Sequence, residues 1–192
     1  MNSPETPITI ESVGYGGAGV GRLADGRVCF VHGTLPGERA LVRIVKEKKN
    51  HTEGELVRIL EASPRRVAPK CPVYGECGGC ALQHATYDLQ LEIKTSQVRE
   101  LLRRFAKLPE APVDQILPSP AQWAYRNRIS IHLDRQRVGF FHRKSRELVD
   151  VEHCPLASEE VNALLAELHK NPPHGETRLT LREAGAPRGF SQ

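Results

Sequence analysis

The chain has 192 residues, 39% hydrophobic and 5% aromatic, enough for one large domain or two small ones around a mostly aliphatic core. Its net charge of +4 is unevenly placed: residues 1–63 balance eight basic against eight acidic side chains, residues 64–150 carry fifteen against nine, and residues 151–192 carry four against six. A basic centre suits a polyanionic partner, whereas no run approaches ~20 apolar residues and the N-terminus lacks a basic start, so neither a membrane partner nor a secretory signal is expected.

Residues 7–61 read as five short strands. ITI (8–10), GVGRL (19–23), RVCFV (27–31), RALVRIVK (39–46) and EGELVRIL (53–60) are separated by Gly16-Gly17, Asp25-Gly26, Pro36-Gly37 and Lys49-Asn50. Five short strands with glycine-rich corners predict a small closed barrel of the oligonucleotide-binding kind over 1–63. GYGGAGVGR (14–22) is followed by a strand pattern and not by a helix, so it reads as a barrel corner rather than a dinucleotide loop. Cys29, between Val28 and Phe30, reads as a small buried hydrophobe.

EASPRRVAPKCP (61–72) reads as a linker. A helix follows over 88–108, with Leu91, Val98, Leu101, Leu102, Phe105 and Leu108 as a core-packing stripe and Thr86 or Asp88 as its cap. Beyond APVDQILPSP (111–120), Ile129, Ile131 and Leu133 alternate with Arg128, Ser130 and His132, as in a half-buried strand. VGFFH (138–142), ELVDVEHC (147–154) and TRLTLREAG (177–185) read as further strands. SEEVNALLAELHK (158–170) reads as a helix capped by Ser158, with Val161, Leu164, Leu165 and Leu168 on one face.

Cys71, Cys77 and Cys80 lie in CPVYGECGGC, and Cys154 stands apart in HCP. Five cysteines, an odd count, do not suit a closed disulfide framework, and a cytoplasmic setting that keeps thiols reduced is the expectation. Four thiolates suit zinc or a cubane cluster; the three-plus-one grouping, with Gly78 and Gly79 leaving room near inorganic sulfide, leans towards the cluster. WAYRNRISIHLDRQRVGFFHRKSR (123–146) holds seven basic residues against one acid. Arg126, Arg128, Arg135, Arg137, Arg143, Lys144 and Arg146, with Asn127 among them, are the RNA-contact candidates, interleaved with Trp123, Tyr125, Phe140 and Phe141 for stacking. KEKKNH (46–51) is a weaker second patch.

GVGRLADGRVCFVHGTLPGERALVRI resembles the TRAM domain, a small RNA-binding barrel. CPVYGECGGCALQHATYDLQLEIKTSQV, with YRNR and HCPL, resembles the iron–sulfur region of the RNA uracil-5-methyltransferases, which act on ribosomal or transfer RNA with S-adenosylmethionine. The resemblance implies that Cys71, Cys77, Cys80 and Cys154 hold a 4Fe–4S cluster. It implies a β plus α/β chain: a barrel, then an incomplete α+β iron–sulfur domain over 64–192. The family's Rossmann-like catalytic domain, with its nucleophilic cysteine and glycine-rich cofactor loop, has no counterpart here, and no cysteine follows Cys154. The expectation is a chain cut before its catalytic domain. It would be inactive alone, with no catalytic residue of its own, would reach S-adenosylmethionine only through the absent domain, and could be completed by such a domain in trans. The rival reading is a stand-alone, non-enzymatic RNA-binding module with a structural or redox-sensing metal site.

Overall fold

The computed structural model describes residues 5–110, 112–134, 137–173, 175 and 177–185. By contact density the chain divides into two compact units, 1–68 with 81–118, and 69–80 with 119–192. Among the described residues no helix is long and apolar enough to cross a membrane.

The first unit is built on β1 (Glu5–Val13), β2 (Ala18–Arg22), β3 (Val28–His32), β4 (Arg39–Glu47) and β5 (His51–Glu61), closed into a barrel in the order β1-β2-β3-β5-β4. The neighbours are antiparallel except β3 and β5, which run parallel. Period-two patterning sends Ile8, Ile10, Cys29, Val31, Ala40 and Val42 into the barrel core. Burial there pushes the Cys29 thiol up, against a hydrogen bond with Thr52, as a structural cysteine requires. GYGGAGVGR is the β1–β2 corner. Gly16 and Gly17 take φ of 89° and 86°, and a Cβ on Gly17 would stand 2.5 Å from the Ala81 Cβ.

Two features of this unit differ from the expectation. The helix, α1 (Tyr87–Phe105), packs through Leu89 and Ile93 against Val13, Leu35 and Ala85. Most of the expected stripe stays outside: Val98, Leu101, Phe105 and Leu108 are 46%, 40%, 80% and 47% exposed. Leu89 and Ile93 sit one turn apart at the start of the helix, and this is the end that meets the barrel. α1 also stops before 108. Lys107 adopts a left-handed φ of 57°, and the Leu108 N–H folds back to the Leu102 carbonyl at 3.3 Å, ending the helix. Thr86 is the N-cap residue but makes no side-chain cap bond.

The linker 61–72 is anchored. Glu38, fully buried, accepts the Leu35 N–H at 2.8 Å, the Ser63 N–H at 3.2 Å, and Arg66 Nε and Nη2 at 2.6 and 2.7 Å. Arg66 Nη2 also donates to the Gly33 carbonyl at 2.7 Å. Burial pushes the Glu38 pKa up. The Arg66 hydrogen bonds, the Leu35 and Ser63 N–H groups and the Arg66 charge push it down and prevail, so its carboxyl lies below the usual range.

The second unit holds β6 (Arg128–Asp134), β7 (Arg137–Phe141), β8 (Leu148–Asp150) and β9 (Thr177–Arg182), an antiparallel sheet in the order β8-β7-β6-β9. Ile129, Ile131, Leu133, Val138 and Leu181 pack against Val161 and Leu165 of α2 (Glu159–Lys170), with Leu168 and Phe140 at the margin. Leu164 is 40% exposed and does not join them, because Val161, Leu165 and Leu168 complete the i, i+4, i+7 face. Ser158 caps α2, accepting the Val161 N–H at 3.3 Å.

Arg66→Ala should destabilise the first unit by about 3 kcal/mol in urea unfolding, since it strands a buried carboxylate. Arg39→Ala, in an exposed pair with Glu61, should cost under about 1 kcal/mol. Because the folded Glu38 pKa is depressed, its stabilisation is present above the ordinary glutamate value of 4.5 and is lost as pH falls through the folded pKa. The difference between wild type and Glu38→Gln should therefore shrink below pH 4.5.

Candidate functional site

All four cysteines of the expected ligand set lie in the second unit. Cys71–Cys80 forms a succession of tight turns laid against the β7 end. The Gly78 N–H donates to the Phe141 carbonyl at 3.0 Å, the Arg143 N–H to the Glu76 carbonyl at 2.8 Å, and Cys77 bridges His142. Arg143 also donates through its guanidinium to the Cys80 carbonyl.

The Cys154 turn is held separately. Its N–H donates to Asn162 Oδ1 at 2.9 Å, and Asn162 Nδ2 donates to the carbonyls of Cys154 and Ala157, both at 3.1 Å. Asn162 is buried on the first turns of α2. The Ala124 and Arg126 N–H groups donate to the Pro155 and Leu156 carbonyls at 3.0 and 2.8 Å, bringing the segment before β6 alongside.

Cys71 and Cys77 each feel other thiols of the set weakly, behind the larger effect of burial. Burial pushes the Cys77 thiol up, the Gly79 N–H opposes this from 3.4 Å, and Cys80, Cys71 and Cys154 add to the rise. Burial likewise raises Cys71, opposed by the Val73 N–H, with Cys80 and Cys154 contributing. Among the described residues, no group of three or more His, Cys, Asp or Glu side chains stands close enough to hold a metal ion.

The basic candidates are dispersed. Arg126 and Asn127 are exposed; Arg126 lies 5.9 Å from the Tyr125 ring centre. Arg137 is engaged by Asp134 at 2.8 Å and the Leu148 carbonyl at 3.2 Å. Arg143 is committed to the cysteine turn, while Lys144 and Arg146 sit exposed in the β7–β8 turn. Arg135 lies outside the described residues.

Arg128 belongs to a larger feature. On the face of the sheet opposite the core, Arg128 pairs across the strands with Arg182, Ser130 with Thr180, and His132 with Arg178. The Ser130 and Thr180 hydroxyls are 3.1 Å apart. The His132 ring stacks on Phe141, 39% exposed, with centroids 4.0 Å apart. Phe140 points the other way, into the core. Arg178 and Arg182 were missed in the sequence because they lie some fifty positions from the basic hairpin. Their period-two spacing in TRLTLR, out of phase with Leu179 and Leu181, is the signal that places them on this face.

Residues 4–57, the barrel strands almost entire, match the TRAM domain family. This barrel is a TRAM domain. Around and beyond it, the chain is similar to RNA methyltransferases. One from Aquifex aeolicus is 39% identical over 170 residues, covering 88% of this chain and 40% of the relative. The 23S rRNA (uracil(1939)-C(5))-methyltransferase RlmD of Vibrio parahaemolyticus is 36% identical over 199 residues, covering 96% of this chain and 44% of the relative. Among solved structures, the Pyrococcus abyssi tRNA (uracil-54, C5)-methyltransferase in complex with S-adenosyl-L-homocysteine superposes with a TM-score of 0.58 at 26% identity, over 85% of this chain and 36% of that one. The TRAM-bearing chain thus spans less than half the length of each of these proteins.

Asn162→Ala should leave the Cys154 N–H and two carbonyls without their partner and cost about 2 kcal/mol. It should also speed the reaction of Cys154 with a thiol reagent, read by mass spectrometry, while Cys29 stays protected.

Proposed function

We propose that this chain is the RNA-engaging portion of an S-adenosylmethionine-dependent RNA (uracil-5-)-methyltransferase acting on ribosomal or transfer RNA, with Cys71, Cys77, Cys80 and Cys154 holding a 4Fe–4S cluster. The observation that carries the RNA reading is the outward sheet face. Arg128 directly opposite Arg182 is a like-charge pair, which disfavours the sheet, and bound phosphate relieves it. The stacked His132 and Phe141 rings, with Arg178 paired opposite His132 on the same face, give unpaired bases an aromatic surface. The TRAM barrel supports the same reading from the other unit.

The target, uracil C5, and the methyl donor are inferred from the relatives' names and from the product bound in the Pyrococcus enzyme. We assign no described residue to methyl transfer. A methyltransferase domain, in the same polypeptide or in trans, docking on the exposed α1 face at Val98, Leu101 and Phe105, belongs to the same proposal.

What supports the cluster is the chemistry of the donor set, four cysteines in two turns, with the Gly79 N–H donating to Cys77 Sγ at 3.4 Å; among the described residues, the side chains do not stand close enough together to hold a metal ion. When bound, the cluster supplies iron–thiolate links between the 71–80 turns and the Cys154 turn. Reduced thiols of this kind fit a cytoplasmic protein.

The RNA reading is tested by the affinity for a labelled single-stranded RNA across a salt series. Each lost phosphate contact removes about 0.7 from the slope of log K against log salt, so Arg128→Ala/Arg178→Ala/Arg182→Ala should shrink the slope by about two. Removing the like-charge pair should leave the variant as stable as wild type or slightly more so. An unchanged slope would move the RNA surface elsewhere.

A further inference from the structure

The second unit contains a cleft of about 580 Å³ that the functions assigned above leave unused. Two of its walls are the segments carrying Cys71 and Cys154, through Val73 and Glu152. Its lining also includes Trp123, half-buried, and the carboxylates of Asp150 and Glu159. Lys70, exposed, holds its ammonium 5.1 Å from the centre of the Trp123 ring. The volume falls in the range of small-molecule sites, and the lining combines one large aromatic face, one cation, the His153 imidazole and three carboxylates, with Asn162 already committed to the Cys154 turn.

We infer that this cleft receives a single unpaired RNA base, guanine in preference, which displaces the Lys70 ammonium from the Trp123 ring, stacks there in its place and leaves Lys70 to take its phosphate. The inference rests on the RNA reading above and adds a base-specific site to it. Trp123 offers stacking to any base. The carboxylates discriminate. Guanine presents N1–H and N2–H side by side, two donors that match the two oxygens of a carboxylate. Uracil flanks its one N–H with two carbonyl oxygens, which a carboxylate repels. Asp150 Oδ1 is already engaged by the Val138 N–H at 2.8 Å, so Glu152 and Glu159, both exposed, are the carboxylates with both oxygens to offer a base. An acidic lining also keeps phosphate out of the cleft and confines it to Lys70.

Trp123 is the chain's only tryptophan, so its fluorescence reports on this cleft alone. The test titrates the whole chain with the pentanucleotides r(UUGUU) and r(UUUUU), reading tryptophan fluorescence and, with labelled RNA, anisotropy. The expected result is quenching by r(UUGUU) and about tenfold tighter binding than r(UUUUU). Trp123→Phe should weaken r(UUGUU) severalfold. Glu152→Ala/Glu159→Ala should abolish the preference while retaining r(UUUUU) binding and an unchanged circular dichroism spectrum. Binding of both pentanucleotides with equal affinity and no quenching would overturn the cleft and leave the RNA reading standing. Binding of neither would overturn both. Quenching by tetra-arginine and not by RNA would show that the carboxylates serve a cationic peptide instead.

Discussion

Glu38 is a carboxylate with no exposed surface, and four donors converge on it from three stretches of chain. Leu35 lies on the loop entering β4, Ser63 follows β5, and Arg66 lies in the segment that leaves the barrel. A carboxylate in that position is tolerable only with its partners present, so the barrel's closure and the course of the departing chain are fixed together. Arg65, next to it, grips Glu92 of α1 with bonds of 2.6 and 2.8 Å, and Leu35, whose N–H bonds Glu38, is covered together with Val13 by Leu89 and Ile93. The TRAM barrel, its exit and the helix that returns to it therefore form one cooperative object around a buried charge.

The thiol site is built on a different principle. Its cysteine turns are positioned by backbone hydrogen bonds to the β7 end and by one buried amide, Asn162, and less by packing of the cysteines themselves. Main-chain anchoring fixes the course of the backbone through each cysteine turn. It also explains why Arg143, in the middle of a basic run, is spent on holding the Cys80 carbonyl: the turn that carries two cysteines needs a donor on its last carbonyl more than the surface needs another charge.

Much of this was legible in the sequence, for identifiable reasons. The barrel strands, the β6 alternation, the Ser158 cap and the burial of Cys29 all follow from local periodicity and local hydrogen bonding. What escaped depends on pairings distant in sequence. Glu38 with Arg66 looked like one turn residue and one linker residue. Arg178 and Arg182 joined the basic surface only through the β6–β9 register. The α1 stripe is a true helical periodicity, yet a pattern cannot say which end of a helix meets its partner, and here Leu89 and Ile93 do. Asn162 reads as one polar position in an amphipathic helix until the Cys154 turn is placed over it.

The proposal that Cys71, Cys77, Cys80 and Cys154 hold a 4Fe–4S cluster in an RNA-engaging chain stands or falls on metal content. Its most direct test is iron, zinc and acid-labile sulfide analysis of the anaerobically purified chain. A cluster would give brown protein with about four iron and four sulfide per chain, a content retained in Cys29→Ser and lost in Cys154→Ser. Colourless protein with one tightly bound zinc and no sulfide would contradict it.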